Sequence, residues 1–328
     1  MSKHLFCSLA VLLSVSGAAV AGPVINPVIL EGNYIRTTIG QAGTLGDGYQ
    51  PTPGLQYDAS GTGNFSGGDF LTPGSPWDYF MLKADQTGGV TGNNNDPAAG
   101  MRAFRPMLLE DVSGLTGFDN HVRWIGANES ARLTNEYFFN DDDQRIQVRT
   151  TITAYSRLDN LRFARSIDPD QDADSYGEDE TLNGRGYDAN HDGHYSDPGD
   201  AAPHNWVHSQ GDYSGLVLGL FSDSSFAHNT GVSYDWETDP DFFLAMNDDG
   251  DGDHTLGLAF SLGDLPGDAS LSFTYSYVLA SSLSTAGLPV EEGIHSRRSV
   301  PEPDTLALLS LGVVGLGAIA RRRARYNK

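Results

Sequence analysis

The residues best suited to chemistry form the run Asp168–Glu180, DPDQDADSYGEDE. Asp168, Asp170, Asp172 and Asp174 occupy alternate positions, and Asp179 stands twelfth from Asp168. A hard cation such as calcium takes about six to eight oxygen ligands, and an Asp-x-Asp-x-Asp loop can wrap one ion. The complete loop of that kind has glycine at position 6 and an acid at position 12. Ala173 and Asp179 stand there, so the match is partial. A second run, DANHDGHYSDPGD, sets Asp188, Asn190 and Asp192 at positions 1, 3 and 5. Gly193 follows at position 6, and His194 offers its carbonyl at position 7. Its position 12 is Gly199, between Asp197 and Asp200. Carboxylates at this density repel one another, and a divalent ion offsets the repulsion. The expectation is therefore structural calcium within Asp168–Asp200. A third run, NDDGDGDHT, has Asn247, Asp249 and Asp251 before Gly252, but its position 12, Leu258, falls inside a strand pattern. It reads first as an acidic hairpin turn.

Other chemistries are less well supported. His191, His194, His204 and His208 cluster near Trp206 and Tyr213. Without a His-x-x-Glu-His pattern on a helix, they read as a polar loop with one anchoring tryptophan. No Gly-x-Ser-x-Gly elbow occurs. With so many acids, a carboxylate pair for glycoside hydrolysis stays open. Trp77, Trp124, Trp206 and Trp236 read mainly as core, with at most one as a sugar-stacking platform.

These loops must be carried by strands. SLSFTYSYVLA alternates Leu271, Phe273, Tyr275, Tyr277 and Leu279 with small polar residues, and TLGLAFSL alternates Leu256, Leu258, Phe260 and Leu262 with small ones. The intervening GDLPGDA predicts an antiparallel hairpin. A second hairpin is predicted across NDDDQ, pairing Leu133, Tyr137 and Phe139 with Ile146, Val148 and Ile152. Further strands are expected at 34–39, 79–83, 121–125, 161–165, 215–221 and 242–246. No helix is expected before Ser284. The fold class is thus all-β, an antiparallel β-sandwich or larger supersandwich spanning 22–280. One irregular acidic insertion is expected at 166–210 and a linker at 281–299.

The two ends carry addresses. MSKHLFCSLAVLLSVSGAAVAG has a short basic head, an apolar run and a small-residue site, the layout of a signal peptide (residues 1–21) cleaved between Ala21 and Gly22. The single cysteine, Cys7, lies inside it, so the mature chain holds no disulfide or thiol chemistry. Between Gly22 and Pro303 stand 14 basic and 42 acidic residues, a net charge of −28 against −23 for the whole chain. That surface repels phosphate backbones and disfavours nucleic acid and anionic membranes.

The C-terminal segment 300–328 holds Pro301, Glu302 and Pro303, then an uncharged stretch at 305–320, then Arg321, Arg322 and Arg323. As a helix the stretch is roughly 24 Å long, a short membrane span. This arrangement resembles the PEP-CTERM sorting signal. The resemblance implies an exported protein of a Gram-negative bacterium, held transiently in the inner membrane by a transmembrane helix. It further implies exosortase as the processing partner near Pro301–Pro303, and association with exopolysaccharide or biofilm at the cell surface or in the matrix. It says nothing of the ectodomain, for which a non-catalytic structural or binding role is expected. The alternatives are a secreted carbohydrate-active hydrolase or epimerase, and a lectin-like module.

Overall fold

The computed structural model describes residues 25–48, 52–71, 77–96, 98, 102–197 and 199–286. The expected signal peptide at 1–21, the sorting segment 300–328 with the helix expected at 305–320, and the part of the expected 281–299 linker beyond residue 286 lie outside them. Sixteen strands run in chain order. They are β1 (Val28–Glu31), β2 (Ile35–Ile39), β3 (Leu55–Tyr57), β4 (Asp78–Lys83), β5 (Thr91–Asn94), β6 (Arg105–Asp111), β7 (Asn120–Ala127) and β8 (Ala131–Phe139). There follow β9 (Arg145–Ala154), β10 (Leu158–Ile167), β11 (Thr181–Arg185), β12 (Trp206–Gly211), β13 (Val217–Phe221), β14 (Ala227–Ser233), β15 (Thr255–Leu265) and β16 (Ser270–Ala280). Among the described residues two short α-helices interrupt them, α1 (Ala173–Tyr176) and α2 (Pro240–Leu244), besides single 3-10 turns at Asp85–Thr87 and Leu283–Thr285. No helix among the described residues is long and apolar enough to cross a membrane.

An eight-stranded antiparallel sheet, ordered β11-β12-β13-β16-β9-β8-β7-β6, packs on a five-stranded one, β14-β15-β10-β4-β5; β1-β2-β3 form a third, smaller sheet. One continuous core joins all three, with Phe80, Phe163, Leu258 and Phe260 from the five-stranded sheet meeting Trp124, Tyr137, Val148, Phe273 and Tyr277 from the large one. The fold is all-β and antiparallel, as the alternating patterns require. The hairpin expected across NDDDQ forms, with Leu133 opposite Ile152 and Tyr137 opposite Val148.

The hairpin expected across GDLPGDA does not form. β15 pairs with β10 and β14, whereas β16 pairs with β9 and β13. The turn at Pro266–Ala269 carries the chain from one sheet to the other, so the apolar faces of β15 and β16 meet across the core. Phe260 and Phe273 lie with ring centroids 4.6 Å apart. A turn composition fixes a reversal of the chain but not whether the two arms bond edge to edge or stack face to face.

Residues 242–246, expected as a strand, fall mostly in α2. Asp239 caps it by accepting the Asp241 N–H, and Pro240 occupies its first turn, the usual start signal of a helix. Phe243 seals the outer face of the five-stranded sheet with Tyr79, Met81, Ala164 and Ala259. Burial on both faces is why β4 reads as an unbroken run, DYFMLK, and not as an alternation. The span 166–210 holds more than a loop, since α1, β11 and the start of β12 lie within it.

A further buried segment lies between the sheets. Residues 42–47, following β2, are all buried. Their backbone is held by side chains of both sheets. Asn93 donates to the Ala42 carbonyl, Asn95 to that of Leu45, Tyr137 to that of Gly43, and Trp124 to that of Gln41. Each buried backbone group thereby recovers a partner it would otherwise have found in water. Gly43 has φ +74° and lies flat on the Trp124 ring, where a Cβ would come within 2.3 Å of it.

Candidate metal centre

β10 ends at Ile167, whose partner across the ladder is Leu256 of β15. Continued past that pair, the antiparallel register sets Asp170 across from Asp253. Asp168 and Asp170, two residues apart, project to the same side of an extended chain. The backbone is pinned there, with the Asp168 N–H donating to the Trp77 carbonyl and that of Asp170 to the Phe70 carbonyl. From the other side, Thr181 at the start of β11 bonds Gly252 through both backbone groups, fixing the residue before Asp253. Asp168, Asp170 and Asp253 each offer a carboxylate oxygen, and the three oxygens lie within 4.8 Å of one another. Such a cluster can hold a metal ion.

The electrostatics are unusual for carboxylates. Asp168 and Asp170 are 3% and 5% exposed. Burial pushes Asp168 up to about 9, with the charges of Asp170, Asp253 and Asp179 adding to it. Burial likewise pushes Asp170 up to about 8, reinforced by Asp253, Asp179, Asp174 and Asp69. Asp253 is raised by partial burial and by Asp179. Asp168 Oδ1 is buried without a hydrogen-bond partner. A buried ionised carboxylate needs a cation or several donors. The largest charge effects on Asp168 and Asp170 come from other carboxylates.

The other expected ligands take different places. Asp172 accepts the Tyr213 and Ser214 N–H groups and so holds the turn before β13. Asp174 accepts the Asp69 N–H. Asp179 acts on the cluster by its charge. Asp188, Asn190 and Asp192 form an exposed turn closed on itself. Asp188 accepts from the Asp192 and Gly193 N–H groups, Asn190 donates to Asp192 and Asp197, and Asp192 accepts the His194 N–H. Burial opposes the shift, but these N–H groups hold Asp188 below the usual carboxylate range. Asp253 belongs to the run read as a hairpin turn. The sequence signal was present, a third Asp/Gly run, but its partners are far along the chain.

The histidines separate. His208 is buried in β12, its Nε2 3.2 Å from the Gly186 carbonyl, and burial lowers it to about 4. His204 packs beside His228, and His191 and His194 sit on the exposed turn. A histidine–acid pair absent from the sequence reading is His121–Glu136, 3.5 Å apart. His121 lies against Phe118 and Phe138, and Glu136 is bound by Arg123 and Arg149. Those contacts account for both side chains structurally. Trp124 and Trp206 are fully buried, and Trp77 packs edge-on against Trp236. An open cleft of about 570 Å³ near the β7–β8 turn is lined by Thr87, Thr91, Arg105, Asn128 and Glu129 among others.

No curated protein matches the chain in sequence. Among solved structures it is similar to a bacterial glucoamylase complexed with acarbose, with 12% identity and a TM-score of 0.47. The match covers 82% of this chain and 35% of that one, so the chain spans about a third of the glucoamylase's length. It is also similar to a putative aldose 1-epimerase from Escherichia coli K12 (10% identity, TM-score 0.40, 77% and 98% covered). A galactose mutarotase related enzyme from Lactobacillus acidophilus matches at 8% identity, TM-score 0.40, with 78% and 98% covered. Residues 299–323 match the family model of the PEP-CTERM protein-sorting motif, so the chain carries the sorting tail of an exported protein.

Proposed function

We propose that the β-sandwich serves at the cell surface or in the extracellular matrix as a non-catalytic structural or binding protein, stabilised by calcium on Asp168, Asp170 and Asp253. The observation that carries this reading is the convergence of two buried carboxylates and Asp253, with their oxygens within 4.8 Å and other carboxylates as the main charges acting on the buried pair. Oxygen-only ligands suit a hard cation, and weak extracellular calcium sites fill at ambient calcium levels. The ion would tie the end of β10 to the loop before β15, replacing the clip that a disulfide supplies in other exported domains. The charge of Asp179 acts on all three carboxylates.

The test is thermal unfolding of the purified protein at neutral pH with chelator and with added calcium. An ion at about a hundred times its dissociation constant adds roughly 2.7 kcal/mol. Chelation should lower Tm and calcium restore it, and an identical Tm in both would remove the metal reading.

A further inference from the structure

Beside the acidic cluster lies an aromatic surface that the metal reading leaves unused. Tyr176 closes α1 and Tyr213 lies in the turn between β12 and β13. Their rings stack with centroids 5.4 Å apart and planes within 17°. The side chains are 58% and 61% exposed, and neither phenol hydroxyl has a partner among the described residues. The pair is nonetheless built in. Buried Asp172 accepts the Tyr213 N–H, and its carbonyl accepts the Tyr176 N–H. Next to it, Ser175 donates to the Gly67 carbonyl. Two large rings fixed in parallel and left in water form a flat ledge whose contact area is prepaid in entropy.

The charge around the ledge is one-sided. Asp174 and Glu178 stand two residues either side of Tyr176, Asp212 adjoins Tyr213, and Asp179 and Glu180 follow. Arg185 is the only lysine or arginine between Arg165 and Arg297. An anionic ligand is repelled here and a cation attracted. A planar ledge favours the C–H face of a pyranose ring, the phenol hydroxyls meet ring hydroxyls, and the carboxylates meet an ammonium.

We propose that the Tyr176–Tyr213 ledge binds a cationic amino-sugar chain, a pyranoside bearing a protonated amine. This goes beyond the calcium reading and stands without it, because neither tyrosine is a candidate ligand.

The test uses the full-length protein in calcium and a glucosamine trimer as probe, titrated by calorimetry below the amine pKa. The N-acetylated trimer, spermidine and a penta-lysine peptide are run beside it. The glucosamine trimer should bind, and Tyr176→Ala and Tyr213→Ala should each weaken it roughly tenfold. Tyr213→Phe should keep most of the affinity, and the calcium-induced rise in Tm should be the same in all variants. The proposal is overturned if the trimer does not bind, or if either alanine variant binds it like the wild type. It is also overturned if the N-acetylated trimer binds equally, which would remove the role of charge. Spermidine or penta-lysine binding as tightly, indifferent to the tyrosines, would reduce the surface to general acidity. A lost Tm response with intact trimer binding would count against the calcium site alone.

Discussion

Without a metal ion, the Asp168–Asp170–Asp253 cluster makes stability fall as pH rises through neutrality. The unfolded carboxyls ionise near 3.8, whereas the folded Asp170 and Asp168 stay protonated up to about 8 and about 9. Their folded values are raised, so the fold is favoured at low pH and that advantage is lost as pH climbs towards 8. Each such group changes the unfolding free energy by about 1.4 kcal/mol per pH unit. Asp168 and Asp170 owe part of their shifts to each other, so the equivalent of one group is the fair count. Above about pH 6.5, where the opposing titration of buried His208 is complete, this is about 2 kcal/mol up to pH 8, or roughly 4–8 °C in Tm for a domain of this size.

Groups with depressed values, Glu136 at about 2 together with Asp58 and Asp241, destabilise the fold only as pH falls below roughly 4. They leave that window clear, and His208, lowered to about 4 by burial, opposes the fall only below about pH 6.5. Calcium replaces the protons and should flatten the curve, while Asp170→Asn should both reduce the slope in chelator and remove the calcium response. The assay is scanning calorimetry in chelator and in calcium across the same buffers. A chelated wild-type Tm that is flat or rising over this window would refute the argument.

Two substitutions probe the frame that holds the site. Gly43→Ala places a Cβ 2.3 Å from the Trp124 ring at φ +74°; left-handed strain of about 1–2 kcal/mol and overpacking of about 1–3 kcal/mol should appear as a lower urea midpoint with unchanged m-value. Arg165 and Asp78 form a fully buried pair, with Tyr277 also donating to Asp78. Arg165→Met should cost about 3–5 kcal/mol in the same assay, because it strands a buried carboxylate, and the double variant with Asp78→Leu should recover much of the loss.

Strands were legible where one face meets water. β9 buries alternate side chains along its whole length, and β8 and β16 do so over their first halves. β4 is buried on both faces, so the part read at 79–83 stood on composition and not on alternation. β6, β11, β12 and β14 were not read, since burial there is irregular or shared with the acidic loops. α2 had its signal in Asp239-Pro240, which the apolar run after it obscured. The four tryptophans and the histidines gave no direction, because side-chain type does not say which face of a strand a residue occupies.

By itself the sequence determined the route of the protein and the character of its surface. The sorting tail, the net charge and the single cysteine are properties of composition and local order, which need no fold to be expressed. It also put Asp168 and Asp170 on one side of the chain through their spacing. Only the tertiary structure chose Asp253 as their companion, diverted Asp172 and Asp174 to backbone N–H groups, and set Tyr176 on Tyr213. Those choices depend on the pairing of β10 with β15 and on where the chain leaves the strand, a matter of long-range register that no local pattern encodes.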